Sequence, residues 1–445
     1  MSTNYTYPQA LLYLTGIAAK KNLKHPLETL KDFMNIFGAP QEKLKIIHVA
    51  GTNGKGSACA MLTSILTESG YRVGTFTSPH LSVYNERITI NGKNIEDGDF
   101  ARLIFEVKQA CIKYFKDNDC ELSFFELLTV MAFIYFYEQK VDYAVIETGM
   151  GGRLDATNII AKPILSIITS VGYDHTDILG PSIESISGEK AGIIKKNCPT
   201  VLYYNSNEVY NVIKDTAEKL SSEFYYDDSA VCEVINADLS GTLFSVNSRY
   251  FSYGGIKINL FGKYQIENTL GVLLSVYALN RLGICIGSAE VIRALKGVTW
   301  KCRMEIMREN PVILIDGAHN GQGAAAFAEA MSYFSGRKII LIVGILKNKP
   351  YKEIMEHLLR VSNTVIATEP DNPRALEAQV LAGYAASVLP RVSEEYAASV
   401  QPRVLAIKNC REALDKAMML AGTNDVIAIA GSLYLAGSLR EYLSV

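Results

Sequence analysis

A short glycine-rich segment near residue 50 has the composition of a phosphate-binding loop. Residues 46–57 read IIHVAGTNGKGS, and the apolar run ACAMLTSIL follows at 58–66. A strand, a tight loop and a helix in this order present backbone N–H groups to a phosphate. Lys55 can neutralise the phosphate oxygens, and the Ser57 hydroxyl can face Mg²⁺. The residues of this predicted phosphate loop are Gly51, Thr52, Asn53, Gly54, Lys55, Gly56 and Ser57.

The loop is shorter than the usual phosphate loop, in which four residues separate the first glycine from a Gly-Lys pair that Ser or Thr follows directly. Here the segment is compressed to GTNGK, and Gly56 intervenes before Ser57. The physical parts are retained, because glycines still let the backbone approach the phosphates. We therefore expect a nucleotide site with an altered loop.

Acidic and basic residues follow two further apolar segments. VIETGMGGRLDATN at 145–158 ends a predicted buried strand on Glu147, and IITSVGYDHTDILG at 167–180 supplies Asp174 and His175. GEKAGIIK at 188–195 adds Glu189 and Lys190. Parallel sheets bind ligands at the carboxyl ends of their strands, and a carboxylate there suits Mg²⁺. Alone, His175 would more often be structural, but beside Glu147 and the phosphate loop it is a candidate metal ligand.

Length and composition limit the possible functions. The chain has 445 residues, 49% hydrophobic and 20% charged, which is typical of a globular protein of two or three domains. A formal net charge of -2 argues against nucleic acid or an anionic membrane as a partner. No apolar stretch has transmembrane length, the N-terminus lacks a basic signal start, and the eight cysteines are scattered. We expect a cytoplasmic monomer with reduced thiols.

The pattern of apolar runs predicts an α/β fold. Strand-like runs alternate with helical ones over the first ~295 residues, which implies a parallel sheet covered on both faces. Short alternating segments over 223–260 predict a small antiparallel sheet. Four strand-to-loop junctions after Trp300, at VILIDGAHN, KIILIVGIL, NTVIATEP and DVIAIAGSLY, predict a smaller doubly wound Rossmann-like domain. We therefore expect a P-loop ATPase domain over 1–297 and a second domain over 298–445.

Several motifs together resemble one family. They are GTNGKGS, SPHL with NERI, FFELLT, ETGMGGRLDATN, GYDHTDILG, EKAGIIK, KYQIEN, IDGAHN and GSLYLAG. Their order along residues ~45 to ~440 resembles the bifunctional dihydrofolate synthase/folylpolyglutamate synthase family, within the Mur ligase superfamily. The resemblance implies ATP-dependent amide ligation, in which a folate or dihydropteroate carboxylate becomes an acyl phosphate that the amino group of L-glutamate attacks.

The resemblance also implies roles for individual residues. Ser57 would bind the Mg²⁺ on the nucleotide, and Ser78, Glu147 and His175 would hold a second Mg²⁺. Lys190 matches a lysine that the family carries as a carbamate, although a salt bridge to Glu189 or a phosphate contact is the alternative. The residues implied in catalysis are Lys55, Lys190, His175 and Glu147. The implied nucleotide contacts beyond the phosphate loop are Asn268, Arg303 and Asp316, and His319 follows them in the DGAHN loop.

The pterin-bearing substrate would lie along two segments, Ser123, Phe124, Phe125 and Glu126, and Leu154, Asp155 and Ala156. Phe124 and Phe125 could equally be ordinary core residues. Two places depart from the family pattern. WKCRME replaces the usual Trp-Pro-Gly-Arg, and Asn348 in GILKNKPY replaces an expected aspartate. The first weakens the expected linker geometry and the second any role for that loop.

Two other functions remain as alternatives. Cell-wall ligases of the same superfamily carry a nucleotide-sugar domain ahead of the ATP loop, and about fifty residues before Gly51 are too few for one. A non-catalytic ATP-binding switch would not need Glu147, His175 and Lys190 together behind a phosphate loop.

Overall fold

The computed structural model describes residues 5–19, 24–116, 121–395 and 403–444. Contacts divide the chain into two compact units, and the principal division falls between Val298 and Thr299. Two stretches, Glu233–Phe244 and Lys257–Ile266, group with the second unit, whereas the expected boundaries placed them in the first domain. Within the described ranges, no helix is long and apolar enough to cross a membrane.

The first unit is built on an eight-stranded sheet. Its strands are β1 (Ile46–Ala50), β2 (Val73–Phe76), β3 (Ile88–Ile90), β4 (Lys93–Asn94), β5 (Tyr143–Glu147), β6 (Leu165–Ile168), β7 (Thr200–Leu202) and β8 (Phe224–Tyr226). The helices up to β8 are α1 (Tyr7–Ala19), α2 (Leu27–Met34), α3 (Lys55–Glu68), α4 (Asp97–Phe115), α5 (Phe124–Glu138), α6 (Thr176–Leu179), α7 (Ile183–Ala191) and α8 (Asn207–Lys219). Two more follow, α9 (Lys263–Arg281) and α10 (Ser288–Gly297).

The strand order in this sheet is β4-β3-β2-β5-β1-β6-β7-β8. Strands β2, β5, β1, β6, β7 and β8 run parallel, while β3 and β4 extend the sheet as an antiparallel edge. Strand β1 lies at the centre, and its Ile47 pairs with Val145 on one side and Leu165 on the other. Because β1, β5 and β6 end at one edge of the sheet, the loops that follow them converge there.

Two clusters of buried apolar side chains pack helices against this sheet. One buried cluster joins α1, α2, α4 and α5 to the strands, and another joins α6, α7 and α8 to β6 and β7. Helix α5 is buried continuously from Glu126 to Phe136 because nearly all of its residues are apolar, as expected of a core helix. Strand β1 is also buried at every residue. The predicted parallel sheet, covered on both faces, is confirmed.

A small sheet follows, with strands β9 (Val231–Asp238), β10 (Gly241–Asn247) and β11 (Ser252–Ile258) in the order β11-β10-β9. The predicted small antiparallel sheet is therefore confirmed, but its start was placed too early. Phe224–Tyr226 pairs in parallel with β7 as the last strand of the large sheet. This apolar, aromatic segment continues the α/β pattern, and the antiparallel strands begin only at Val231.

The second unit contains a six-stranded sheet of order β12-β13-β17-β14-β15-β16, in which only β12 runs antiparallel to its neighbour. Its strands are β12 (Glu305–Glu309), β13 (Val312–Ile315), β14 (Ile339–Val343), β15 (Thr364–Glu369), β16 (Arg403–Asn409) and β17 (Val426–Ala430). Its helices are α11 (Gly321–Met331), α12 (Tyr351–Leu359), α13 (Ala378–Glu395), α14 (Cys410–Leu420) and α15 (Leu433–Leu443). The predicted doubly wound Rossmann-like fold is confirmed.

Strand β16 was not predicted, and a sequence repeat explains why it is difficult to recognise. YAASVLPRV at 384–392 lies within α13, whereas the similar YAASVQPRV at 396–404 enters β16 at its last two residues. Residues 396–402 lie outside the described residues. The same Arg-Val pair is thus helical once and extended once, because tertiary pairing with β15 decides its conformation.

Candidate active site

The glycines of the phosphate loop occupy spaces that exclude a side chain. A Cβ atom on Gly51 would overlap the Thr169 hydroxyl, and one on Gly54 would overlap the Asn268 side chain from helix α9. Gly54 also has φ of 85° at the N-cap of α3, in the left-handed region that glycine tolerates best. Glycine is therefore favoured at both positions, and Asn268 lies directly against the loop.

Hydrogen bonds to the next strand hold the loop in shape. The backbone N–H of Thr52 donates to the carbonyl of Ser170 at 2.7 Å, and the Thr169 hydroxyl donates to the carbonyl of Asn53 at 2.7 Å. Ser57 lies buried in the first turn of α3. The N-terminus of this 14-residue helix offers unpaired N–H groups and a favourable dipole to an anion.

Two lysines meet at the carbonyl of Gly51. Lys55 Nζ donates to it at 3.1 Å and to the carbonyl of Thr52 at 3.3 Å, and Lys190 Nζ donates to it at 2.8 Å. Burial and the neighbouring Lys55 cation lower the pKa of Lys190 to about 7. Glu189, the alternative partner of Lys190, instead pairs with Arg153 at 2.6 Å. A large fraction of Lys190 is therefore a neutral amine at physiological pH.

A buried carboxylate lies beside these lysines. Glu147 ends strand β5, its Oε2 accepts a hydrogen bond from the Ser78 N–H at 3.0 Å, and its Oε1 lies 3.9 Å from Lys55 Nζ. His175 lies on the loop after β6, where its Nε2 is 3.8 Å from Asp174 Oδ1. The structure thus brings Ser78, Glu147 and Lys55 into direct contact and places His175 on a neighbouring loop.

These donors suit Mg²⁺. A carboxylate, a hydroxyl and an imidazole can ligate this ion, which keeps several waters and uses substrate phosphates as further ligands. In the part of the chain that is described, no three His, Cys, Asp or Glu residues form a metal-binding group. Glu147 and the serine hydroxyls are oxygen donors of the kind that Mg²⁺ takes together with water and nucleotide phosphates.

The predicted substrate segment at 123–126 begins helix α5 as a capping box. Ser123 Oγ accepts from the N–H of Glu126, and Glu126 Oε2 accepts from the N–H of Ser123 at 2.8 Å. Glu126 also accepts from the backbone N–H of His25 at 2.7 Å and lies 3.1 Å from its ring Nδ1. This buried carboxylate therefore ties the chain before α2 to the start of α5.

The two phenylalanines of this segment have different surroundings. The ring of Phe124 is half-buried, with the Arg87 guanidinium 5.1 Å from its centroid and the ring of Tyr84 at 5.6 Å. The ring of Phe125 packs against Gly149, where a Cβ atom would overlap it. Phe125 therefore fixes the loop after β5, whereas Phe124 packs against Arg87 and Tyr84.

Asp155 organises the loop that follows β5. Its Oδ2 accepts from the N–H groups of Gly149 and Met150, each at 2.9 Å, and its Oδ1 accepts from the N–H of Thr157 at 3.0 Å and from the Thr157 hydroxyl at 2.6 Å. Burial raises the pKa of Asp155. Leu154 beside it is 49% exposed. Asp155 therefore shapes the loop, and Leu154 is its exposed apolar contact.

A histidine on the central strand completes this network. His48 Nε2 lies 2.8 Å from the Thr157 hydroxyl, and burial lowers the pKa of His48 to about 3, so the ring is neutral at pH 7. Because the Thr157 hydroxyl gives its proton to the Asp155 carboxylate, His48 must donate from Nε2. A directed chain of hydrogen bonds thus connects the strand before the phosphate loop to the loop after β5.

The second unit has its own buried carboxylate, Asp316, at the end of β13. Its Oδ2 accepts from the N–H of Met304 at 2.9 Å and from the Tyr264 hydroxyl at 3.2 Å, and its Oδ1 accepts from the N–H of Ala318 at 2.7 Å. Burial raises the pKa of Asp316. Asp316 therefore holds together the segments on either side of β13.

Arg303 and His319 lie near Asp316 in the same unit. The Arg303 guanidinium donates to the carbonyl of Cys302 at 3.2 Å and lies where a Cβ atom on Gly317 would be. His319 Nδ1 is 2.8 Å from the carbonyl of Gly317, which fixes Nδ1 as the donor. Arg303 and His319, both predicted to contact the nucleotide, thus both contact Gly317.

Sequence reasoning missed two residues on the loops of the first unit. Arg87 Nε donates to His80 Nδ1 at 2.9 Å, and burial with the Arg87 charge lowers the pKa of His80 to about 4. They stand in the motifs SPHL and NERI, of which only Ser78 was assigned a role from the resemblance. Tyr264, in KYQIEN, was also missed. The signal that could have identified the pair is the position of Arg87 directly before the apolar strand β3.

Comparisons with known proteins match most of the chain to ligase domains. Residues 49–276 match the Mur ligase middle domain, and residues 302–433 match the domain described as Mur ligase, glutamate ligase domain. The chain is 36% identical over 442 residues to the dihydrofolate synthase/folylpolyglutamate synthase of Bacillus subtilis, covering 98% of this chain and 99% of that protein.

Solved structures show the same architecture. The folylpolyglutamate synthase of Mycobacterium tuberculosis, complexed with ADP and AMPPCP, superposes with a TM-score of 0.88 at 31% identity, covering 99% of each chain. E. coli FolC in complex with DHPP and ADP superposes with a TM-score of 0.86 at 25% identity, covering 100% of this chain and 99% of that chain.

The position of Lys55 gives a first prediction. Lys55→Ala should leave the fold intact, because the lysine contacts loop carbonyls and the Glu147 carboxylate and is not part of an apolar cluster, but it should reduce turnover by about 10²–10³-fold through loss of one charge-stabilising group. Steady-state ADP release measures this effect. Lys45→Ala, an exposed lysine at the start of β1, is the matched control and should keep normal turnover. A Lys55→Ala enzyme with more than about a tenth of normal turnover would contradict the assignment.

The His48 network gives a second prediction. Thr157→Val keeps the side-chain shape but leaves the His48 donor without an acceptor, so it should lower the free energy of unfolding by about 1–3 kcal/mol. Thr157→Ser keeps the hydroxyl and should lose less. Urea denaturation followed by circular dichroism compares the two variants, and equal stability would show that the hydroxyl network contributes little.

Proposed function

Because this chain belongs to the dihydrofolate synthase/folylpolyglutamate synthase family of the Mur ligases, we propose that it joins L-glutamate to a carboxylate of dihydropteroate or a folate, with conversion of ATP to ADP and phosphate. One observation carries this proposal. A phosphate loop, a buried carboxylate at Glu147 and the low-pKa amine of Lys190 converge around Gly51. Phosphoryl transfer is catalysed mainly by positioning the reacting groups and by neutralising phosphate charge, and these residues can do both.

The reaction has two covalent steps. An oxygen of the substrate carboxylate attacks the γ-phosphorus of ATP, the bond to the ADP oxygen breaks, and an acyl phosphate forms. The amino group of glutamate then attacks the acyl carbon, and the tetrahedral intermediate expels phosphate and loses the amine proton to solvent. Lys55 leaves the carbonyls of Gly51 and Thr52 to contact the transferring phosphoryl group, and the N-terminus of α3 binds the other phosphates.

Magnesium belongs to this site. Bound Mg²⁺ would neutralise phosphate charge and polarise the reacting oxygens. Ser57 would hold the ion on the nucleotide, and Ser78, Glu147 and His175 would hold the second. The hydrogen bond from the Ser78 N–H orients the Glu147 carboxylate before any ligand binds.

The pterin-bearing substrate would lie along residues 123–126 and 154–156. Phe124 and Leu154 supply partly exposed apolar surface for a planar ring. Ser123, Phe125 and Ala156 belong to the same two segments. The carboxylates of Glu126 and Asp155 hold these segments in place by accepting hydrogen bonds from backbone N–H groups. These two acids therefore contribute by fixing the loops that bind the substrate.

The remaining nucleotide contacts come from Asn268, Arg303, Asp316 and His319. In this assignment the domain over 1–297 binds ATP and the domain over 298–445 is the glutamate ligase domain. Asn268 supports the phosphate loop at Gly54, and Arg303 offers a guanidinium suited to phosphate oxygens.

We further propose that Lys190 is carbamoylated in the working enzyme. Carbamate formation requires a neutral amine, because the nitrogen lone pair attacks the carbon of CO₂ and a proton is released. Burial lowers the pKa of Lys190 to about 7, so this amine is available at neutral pH, whereas an ordinary lysine is almost fully protonated. The product is an anion close to Lys55, which can pair with that cation or contribute to the metal site.

This assignment predicts the behaviour of Lys190 variants. Lys190→Ala should be nearly inactive and partly restored by a small carboxylic acid in solution. Lys190→Arg should also be inactive, because arginine has a pKa above ~12 and supplies no neutral amine. Activity at constant CO₂ pressure should rise between about pH 6 and 8, as the lysine loses its proton. An active Lys190→Arg enzyme would exclude the carbamate.

The ligase activity itself is tested by ADP release from purified protein. Release that requires both L-glutamate and dihydropteroate or tetrahydrofolate is the expected result, and each acceptor is supplied separately. Release with a nucleotide-linked muramyl substrate would favour a cell-wall ligase. Nucleotide binding without turnover on any acceptor would favour an ATP-binding switch.

A further inference from the structure

The segment before strand β12 holds an unusual backbone conformation around Arg303. Cys302 and Met304, on either side of it, have φ of 55° and 49°. Residues with a Cβ atom rarely adopt this left-handed conformation, so the surrounding structure must stabilise it. Both side chains are buried, at 0% and 2% exposure. Two strained, buried residues thus flank one cationic side chain.

Two carboxylates hold this segment. Glu305 Oε2 accepts from the N–H of Cys302 at 2.8 Å, and Asp316 Oδ2 accepts from the N–H of Met304 at 2.9 Å. The carbonyl of Cys302 accepts from the N–H of Gly317 at 2.8 Å. Each left-handed residue therefore has its own amide bound by a separate acid.

Glu305 is itself oriented from the last helix. Arg440 on α15 directs its Nε to both carboxylate oxygens, at 3.0 and 2.9 Å, and both side chains are only 22% exposed. A charge-assisted, half-buried pair of this kind restricts the carboxylate to one orientation. The Arg440 contact thus fixes the acceptor that holds Cys302.

The result of these contacts is a single position for the Arg303 guanidinium. Its Nη1 donates to the carbonyl of Cys302 at 3.2 Å and lies against the Cα of Gly317. Rotation of Cys302 toward an ordinary φ would move that carbonyl and the Arg303 backbone together. The direction of the guanidinium therefore depends on the acid that holds the Cys302 amide.

We propose that Glu305, oriented by Arg440, is a positioning residue for Arg303. It acts through the backbone of Cys302, which it holds in the left-handed conformation, and not by contact with a ligand. The inference rests on the proposed nucleotide contact of Arg303. Glu305 thus determines how well this unit recognises nucleotide, while leaving recognition of the folate acceptor unchanged.

The test uses the full-length protein with Glu305→Ala. The dissociation constant for ADP, measured by calorimetry, and the KM for ATP should each rise about tenfold, because displacement of a contact group by about 1 Å can cost up to 10²-fold. The KM for the folate acceptor should stay within about twofold, since no acceptor contact is altered. Glu309→Ala, at the exposed end of the same strand, is the matched control and should bind ADP normally.

A second variant separates positioning from a general loss of structure. Glycine adopts positive φ without steric cost, so Cys302→Gly in the Glu305→Ala background should recover most of the ADP affinity. Arg440→Met should resemble Glu305→Ala, and Cys302→Gly should rescue it as well. No rescue by glycine in a folded double variant would overturn the proposal, and so would unchanged ADP affinity in Glu305→Ala.

These outcomes are separate from those that test ligation. Calorimetry measures the dissociation constant for ADP even if no acceptor supports turnover. Failure of the ligase assay with intact glycine rescue would leave the role of Glu305 in place and remove only the proposed reaction. Loss of ADP affinity in Glu305→Ala together with normal ADP affinity in Arg303→Ala would overturn the link to Arg303.

Discussion

The close approach of Thr169 and Asn268 to the phosphate loop is the constraint on which the first unit depends. These side chains occupy the space that a Cβ atom on Gly51 or Gly54 would need. The loop can therefore pass between its neighbours only with glycine at these two positions, and the N-terminus of α3 that it leads into offers its N–H groups to a ligand. The central position of β1, between β5 and β6, brings the loops bearing Glu147 and His175 to the same edge.

Burial favours the neutral form of one of the two lysines at this edge of the sheet. Lys55 and Lys190 share one carbonyl acceptor, and two ammonium groups so close together disfavour each other. Lys190 is the more deeply buried of the two, and its pKa falls to about 7. The site thus holds Lys55 beside Glu147, and next to it Lys190, a group whose charge can change near neutral pH.

The sequence was sufficient for elements with strong local patterns. The phosphate loop, the strands ending at Glu147 and Ile315, and the small sheet could be predicted from apolar runs and glycine positions. Contacts between distant segments could not be predicted from such local patterns. The hydrogen bonds from backbone N–H groups to Glu126 and Asp155 could not be read from the sequence, because a motif gives residue types without the direction of side chains. The altered linker WKCRME gave no sign that Cys302 would adopt positive φ.

The late position of Asn268 in the chain also bears on how the protein is made. Strand β1 gains its neighbours only after residues near 147 and 168 have been synthesised, and the side of the loop at Gly54 stays open until α9 follows. A nascent chain that has not reached Asn268 therefore carries an incomplete phosphate loop. Because domains fold largely as units during synthesis, we expect the nucleotide site of the first unit to be complete only after α9 has been synthesised.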